Sequence, residues 1–569
     1  MITPKVWGQG ALFVYSGLEG NTNFTAQLIG SLLGDHVGIH FCTKEPFDLF
    51  VDTTNARSIR WNAVTSDLIS GTIEVNGVGY DVSFAMASNA TVVGKCPPNL
   101  IRLVFMNGKG DGVTKLTQKV QKNHTYFCLS REEKSNCDCD MVDALIDHYF
   151  DFFKKLDCPV ENFKLYGNRG VNSDDIAETF SKAMSILKGN VYSAEKPFKQ
   201  LWTTPDRWPH RMLWLWDSCF HSFSNWFISE KLSMDSLKSL FDAQNEDGFI
   251  PICCSPDFYY DGITQPPLIA WALEKYVKRT GNLSFAADYY DKVSKYLEWD
   301  IANRCTENGL FFWHVEHDSV HCRCGECGMD NSPRFDNVEE MECIDFSSYM
   351  VREGQAMESL AVMLGREAEA EHWGDFARKT ANAINDRLWD EEDGMYYDLE
   401  IRTQRLHKCK TIASYLTLFA GVCTGNRLTR MLSALNDEQK FKSPFVRAGV
   451  SMDEPGFSTD MFRGPVWMNI LYMVVEGLYR MNDTEDANEI VRNAVSEMTY
   501  WYKMEGVLYE YYDCMGRLSP HLLDRKGKTV TPYIYGNISQ TIRDYGWTAA
   551  VFASFILEHK NLFDYLSDD

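Results

Sequence analysis

The chain reads as a multidomain β + α protein: an N-terminal β-sandwich over residues 1–140, a helical linker over 141–173 and an (α/α)6 toroid over 174–569. Three observations predict this. Short β-rich runs broken by turn residues fill the first 140 residues, apolar residues then switch to i, i+3, i+4 spacing, and 569 residues exceed one ordinary core.

The strand signal comes first. Residues 48–52, 71–82, 99–105 and 125–129 are rich in β-branched and aromatic side chains, and Asn76-Gly77 is a hairpin turn. Antiparallel hairpins with two-sided patterning predict a sandwich. A helical stretch from Met141 to Leu156 follows, read as part of a linker. Beyond it, about twelve amphipathic segments run near 174–189, 214–231, 233–243, 265–281, 283–303, 345–365, 366–388, 410–423, 426–437, 463–481, 484–504 and 540–560. They fall into pairs with short turns inside each pair, such as Arg279-Thr280-Gly281-Asn282, and six helical hairpins in succession predict the toroid.

Unusual clusters mark the starts of the first helices: Trp214-Leu215-Trp216-Asp217-Ser218, Thr264-Gln265-Pro266-Pro267, Ile344-Asp345-Phe346, Phe462-Arg463-Gly464-Pro465-Val466-Trp467 and Asp544-Tyr545-Gly546-Trp547. Proline suits a first helical turn. If these helices run in one direction, their starts ring one end of the toroid. The two longest loops, about 304–344 and 505–539, then open there too, carrying Asp330 and Glu510.

Composition narrows the function. A net charge of −23 disfavours nucleic acid, whose counterions are displaced by Lys and Arg, and an anionic membrane surface. No apolar run reaches the roughly 20 residues of a membrane span, and the first residues carry no signal-peptide core. The 17 scattered cysteines suit reduced thiols, so a cytoplasmic location is expected. Aromatics at 13% are dense enough to line a sugar cleft as well as to fill a core. No Gly-rich phosphate loop or EF-hand pattern is present, and no cofactor is expected. His321, Cys322, Cys324 and Cys327 raise the question of zinc, but their spacing is not a paired knuckle, and no metal is expected.

Two carboxylates in aromatic-rich loops are what cleavage of a glycosidic bond needs: one acid to protonate the leaving oxygen and one base to activate water. By their residues alone, Asp330 is equally an Asx turn, Glu510 an exposed loop carboxylate, and Asp217 a helix N-cap. Trp214 and Trp216 beside Asp217 favour a polar cleft over a core. Arg463 either touches sugar or pairs with a carboxylate such as Asp460 or Glu454. An acid working near neutral pH needs apolar surroundings, here Met329 and Phe335, or a nearby negative charge, from Glu326 or Asp217.

At Trp216-Asp217-Ser218-Cys219-Phe220-His221, Gln265-Pro266-Pro267, Gly328-Met329-Asp330-Asn331-Ser332-Pro333-Arg334, Arg463-Gly464-Pro465-Val466-Trp467-Met468-Asn469, Glu510-Tyr511-Tyr512-Asp513 and Tyr545-Gly546-Trp547-Thr548 the chain resembles glycoside hydrolase family 63 and its trehalase-like relatives. The resemblance covers about residues 200–560 and implies inverting cleavage of α-linked glucosides or mannosides on an (α/α)6 domain. It implies Asp330 as general acid and Glu510 as general base. Trp216, Asp217, Gln265 and Trp467 would hold the sugar, and Trp214, Asn331, Arg463 and Trp547 join them as candidate substrate-binding residues. Cys327 stands where the family usually has Ser. The expected partner is a small saccharide, with no nucleic acid and no membrane. Two rivals are an (α/α)6 glycoside phosphorylase or lyase and an inactive sugar-binding protein; the presence of Glu510 argues against a phosphorylase.

Overall fold

The computed structural model describes residues 2–132, 138–156, 167–316 and 321–563. Residues 133–137 of the expected sandwich, 157–166 of the expected linker, 317–320 of the first long loop and 564–569 lie outside the described residues.

Eleven strands come first: β1 Leu12–Val14, β2 Ile29–Leu32, β3 Val37–Phe41, β4 Phe47–Val51, β5 Ala56–Val64, β6 Leu68–Val75, β7 Val78–Ser88, β8 Thr91–Cys96, β9 Ile101–Phe105, β10 Lys115–Gln121 and β11 His124–Ser130. They form two antiparallel sheets, ordered β1-β2-β3-β4-β9 and β10-β11-β8-β7-β6-β5. Alternation places one face of each sheet in a shared core. In β4, Phe47, Leu49 and Val51 are buried while Asp48 and Phe50 are half-exposed. They share their cluster with Ile69, Ile73, Val82 and Phe84 of the second sheet. The β6–β7 hairpin turns on Asn76 (φ 53°) and Gly77 (φ 79°), both left-handed as a two-residue type I′ turn demands.

Helix α1, Cys139–Lys155, departs from the expected linker. Val142, Ile146 and Tyr149 pack on Ala63, Leu68, Ala85 and Val93, the other face of the second sheet. That sheet is therefore apolar on both faces near its centre, which a linker reading of the helix overlooks.

Twelve further helices follow: α2 Ser173–Gly189, α3 Leu215–Asn225, α4 Glu230–Asp242, α5 Ile269–Thr280, α6 Leu283–Arg304, α7 Ile344–Leu364, α8 Glu367–Arg387, α9 Leu416–Phe419, α10 Gly425–Leu435, α11 Met468–Arg480, α12 Thr484–Glu505 and α13 Gly546–Glu558. The odd-numbered ones touch in a closed circuit: α3 meets α5, α5 meets α7, α7 meets α9, α9 meets α11, α11 meets α13, and α13 returns to α3. Of the remaining helices, α2, α4, α6, α8 and α12 pair with members of the circuit, for example α4 with α3, α8 with α7 and α12 with α11. No described helix is long and apolar enough to cross a membrane.

Several boundaries differ from the sequence reading. The helix expected at 410–423 shrinks to a 3-10 turn, Ile412–Tyr415, and the single turn α9. Its start is diverted into backbone bonds with a distant segment, Ile412 N–H to Gly449 O and Ser451 N–H to Lys410 O, each 2.9 Å. Pro266, Pro267 and Pro465 sit before their helices rather than in the first turn, because α5 caps at Leu268 and α11 at Trp467. A proline pushes the residue before it into extended backbone, which ends a loop cleanly. These extended lead-ins point Gln265 and Trp467 at the space beyond the helix ends.

Candidate active site

Asp330 and Glu510 line one cleft of about 290 Å³ together with Trp214, Trp216, Asp217, Gln265, Trp467 and Trp547. The lead-ins and first turns of α3, α11 and α13 supply aromatic rings, the lead-in of α5 supplies Gln265, and the two long loops supply Asp330 and Glu510. The third cluster, Ile344-Asp345-Phe346 at the start of α7, does not reach the cleft wall. Asp345 is buried in an ion pair with Arg334 (2.7 Å) and accepts the Trp313 indole N–H. No described residue of the β region lines the cleft; its nearest involvement is structural, with Leu12 N–H donating to Asp544, the residue before Tyr545.

Stacked rings set the wall. Trp467 lies between Phe462 (centroids 3.7 Å apart, planes 9° apart) and Tyr511 (4.7 Å), and its indole N–H is held by Met461 O. Trp547 meets Trp216 and Trp467 edge to face and donates to Glu510 O, so one ring fixes both the wall and the backbone of the loop that carries Glu510. Gln265 accepts the Trp216 backbone N–H at 3.1 Å. Asp217 is not the N-cap of α3, since Trp214 holds that position. Burial, then the neighbouring Asp206 and Glu510 carboxylates, push its carboxyl well above the usual carboxylate range. Its Oδ1 is buried and has no hydrogen-bond partner among the described residues. A group like this is costly unless a ligand completes it.

Glu510 is buried against Arg525 in a two-pronged pair, Nε to Oε2 at 2.8 Å and Nη2 to Oε1 at 3.1 Å. This geometry is the strong, orienting form of the ion pair. Burial works against the Arg525 charge, and Glu510 overrides it, holding the guanidinium above its ordinary value. Asp330 follows Gly328, whose left-handed backbone (φ 72°) brings the loop flat against Trp216. Arg323 N–H donates to Asp330 O at 2.8 Å, closing the loop on itself. Within it, the Cys327 thiol donates to Cys324 O and accepts Met329 N–H, both roles a serine hydroxyl would fill. Glu326 is a buried strut: it accepts Thr264 N–H, His314 N–H and the Arg304 guanidinium. The charge in contact with Asp330 is thus not Glu326. It is a cation: Lys526 Nζ lies 3.1 Å from Asp330 Oδ2.

Two expected binding residues stand behind the wall. The Asn331 carboxamide accepts Phe462 N–H, and Arg463 pairs with Asp336 while donating to Asn331 O. The Arg463 partner is therefore Asp336, not Asp460 or Glu454. Together these bonds tie the loop that carries Asp330 to the Phe462–Trp467 wall. The group weighed for zinc does not converge among the described residues. The sets close enough to share an ion are Cys343, Asp345 and Asp398, where Arg334 already pairs with both carboxylates, and Glu476, Glu558 and His559.

Sequence reasoning missed Arg525, Lys526 and His210 and quoted Tyr545 only within a motif; all four are on the cleft wall. The available signal was an adjacent Arg-Lys pair inside the second long loop. His210 pairs with Asp206 at 2.7 Å, an i, i+4 contact that no single-residue motif announces.

A family model described as the mannosylglycerate hydrolase MGH1-like glycoside hydrolase domain matches residues 209–516, more than half of the chain and most of the cleft. The chain belongs to this family. A mannosylglycerate hydrolase of Rubrobacter radiotolerans is 25% identical over 397 residues, covering 54% of this chain and 86% of that one. A probable mannosyl-oligosaccharide glucosidase of Schizosaccharomyces pombe is 24% identical over 374 residues, and the match spans only about half of it (46%) and 52% of this chain. Among solved structures, the GH63 mannosylglycerate hydrolase of Thermus thermophilus in complex with Tris aligns with a TM-score of 0.54 at 21% identity, over 66% of this chain and 99% of its own. At that identity the likeness speaks for the fold. The resemblance to glycoside hydrolase family 63 drawn from the motifs agrees with this membership.

Proposed function

We propose that this family member is an inverting glycoside hydrolase acting on α-linked glucosides or mannosides, including oligosaccharides, disaccharides and glycosylglycerates. Asp330 protonates the leaving oxygen, and Glu510 takes a proton from the attacking water. The observation that carries the reading is that two carboxylates from loops far apart in the chain line one aromatic cleft. Glu510 has the fixed, charge-paired setting of a base, and the unpartnered Asp217 Oδ1 supplies a site for a sugar hydroxyl. Trp216, Gln265 and Trp547 meet the sugar with ring and polar edges, and Trp467, stacked on Phe462 and Tyr511, offers only its ring edge.

We further read the closed circuit α3-α5-α7-α9-α11-α13, with its paired partners, as an (α/α)6 toroid, and the two facing sheets as a β-sandwich that braces it. Described cysteines such as Cys96, Cys128, Cys219, Cys254, Cys324 and Cys327 are free thiols, which supports a reducing, cytoplasmic setting.

The test is turnover of nitrophenyl α-glucoside, nitrophenyl α-mannoside, α-linked disaccharides and glycosylglycerates, with the product anomer followed by NMR. Asp330→Asn and Glu510→Gln should each lower kcat by about 10²–10⁴-fold while sugar binding persists. Turnover that depends on inorganic phosphate would favour a phosphorylase, and binding without turnover a sugar-binding protein.

A further inference from the structure

Adjacent residues of one turn hold both Asp330 and Glu510. Arg525 grips Glu510, and Lys526, the next residue, lies against Asp330. The turn is built for this. Lys526 sits in the left-handed region (φ 52°), which a lysine adopts only when its surroundings hold it there. The holder is Asp460, whose two carboxylate oxygens accept the Lys526 and Gly527 backbone N–H groups at 3.0 Å each. Arg525 N–H closes the turn on Gly527 O at 3.0 Å, and its Nη1 donates to Ile538 O. With successive side chains sent to different partners, the turn ties the acid loop to the base loop.

The two grips differ. The Arg525–Glu510 side chains are almost fully enclosed, 2% and 4% exposed, whereas Lys526 and Asp330 retain 24% and 22% and face the cleft. The first pair is permanent, and the second is open to whatever enters. The Lys526 ammonium, 3.1 Å from Asp330 Oδ2, engages that oxygen as an acceptor, so it is not free to hand a proton to a leaving group. A general acid must hold a proton before it can donate one. The resting arrangement around Asp330 is therefore not the working one.

We propose that the Arg525-Lys526 turn is one positioning device for both carboxylates: Arg525 fixes Glu510 as the base, and Lys526 is a releasable clamp that frees Asp330 to take up its proton when the leaving-group side of the cleft fills. This rests on the reading of Asp330 and Glu510 given above. The proton enters from water as the ammonium swings off. It passes from Asp330 to the glycosidic oxygen as the C–O bond breaks, while Glu510 accepts a proton from the water that adds to the anomeric carbon. Hydrolysis consumes one water, and proton exchange with solvent resets both groups. Other charged or titratable groups face the pairs: Glu316, Cys322 and Arg525 near Lys526 and Asp330, and His210, Asp217, Tyr511 and Tyr545 near Arg525 and Glu510. Of these, the Cys322 thiol feels Lys526 directly: burial pushes it up and the ammonium draws it down, so removing Lys526 moves it further up.

The experiment is a set of pH profiles for the wild-type chain, Lys526→Met, Lys526→Arg and Arg525→Met. The profile of kcat/KM reports the free enzyme and that of kcat the occupied one. A releasable clamp places the wild-type alkaline limb at lower pH in kcat/KM than in kcat. Lys526→Met should raise the kcat/KM limb by about one pH unit or more, bringing it to the kcat limb, and Lys526→Arg should restore the gap. Arg525→Met should raise the acidic limb instead. Uniform loss of rate across pH in Lys526→Met, with no limb displaced, overturns the proposal and leaves the turn a structural brace. Lys526 is partly exposed, so its variants carry the test even if Arg525→Met does not fold. Wild-type hydrolysis lost in Asp330→Asn and Glu510→Gln keeps the assignment of those carboxylates standing if the limbs stay still. A wild-type chain that hydrolyses nothing removes both claims.

Discussion

Gly328→Ala tests whether the acid loop and the aromatic wall are locked together. The added Cβ would lie 2.5 Å from Trp216 Cζ2 and 2.6 Å from Cη2, about 1 Å inside an ordinary carbon–carbon contact. The left-handed backbone (φ 72°) adds about 1–2 kcal/mol for any residue with a Cβ. One side must yield. Trp216 is 1% exposed, packs edge-on against Phe220 and Trp547, and has its backbone N–H held by Gln265. The loop is therefore the side that moves, by about 1 Å, and Asp330 lies two residues further on. A displacement of that size at a proton donor costs about 100-fold in rate. Gly325→Ala is the matched control in the same loop, where the new Cβ meets Cys322 Sγ at 3.5 Å and Ile263 at 3.6 Å, ordinary contacts. The assay is kcat/KM for both variants beside their thermal unfolding midpoints. Gly328→Ala should lose activity and some stability, and Gly325→Ala should keep both. A Gly328→Ala chain with wild-type kcat/KM would refute the locking of loop to wall.

Two further outcomes concern stability. Glu353 is buried beneath the start of α5, accepts Ala270 and Trp271 N–H, and is pushed up from its ordinary value to about 7 by burial, against the lowering effect of those bonds. A raised carboxyl binds its proton more tightly folded than unfolded, so this contribution is complete below about pH 4.5 and is lost as pH rises towards 7. Glu353→Gln should flatten the fall in unfolding midpoint between pH 5 and 7.5, and an unchanged slope would show that another group titrates there. Lys182 and Asp544 form an enclosed pair at 2.7 Å, 2% and 1% exposed, and Asp544 also accepts Leu12 and Leu508 N–H. Lys182→Met strands that carboxylate and should cost about 3–5 kcal/mol in denaturant unfolding, whereas a pair of little consequence would leave the midpoint unmoved.

The sequence by itself determined what is written in short-range pattern. Period-two alternation in β4, the Asn76-Gly77 turn and the 3.6-residue period of the helices are local properties, and the elements they predict are present. Trp216, Asp217, Asp330 and Glu510 are singled out through the resemblance of their motifs, since by local pattern alone Asp330 is equally a turn, Asp217 a helix cap and Glu510 a loop carboxylate; the fold brings all four to one cleft. Tertiary structure decided the partners. Which carboxylate meets Lys526, which meets Arg463, and that α1 covers a sheet are settled by chain segments with no shared spacing. The helix at 410–423 failed for the same reason: its backbone found better partners at 449–451 than along itself. Charge pairing and burial depend on distance in space, and a linear pattern carries no record of which distant group will arrive.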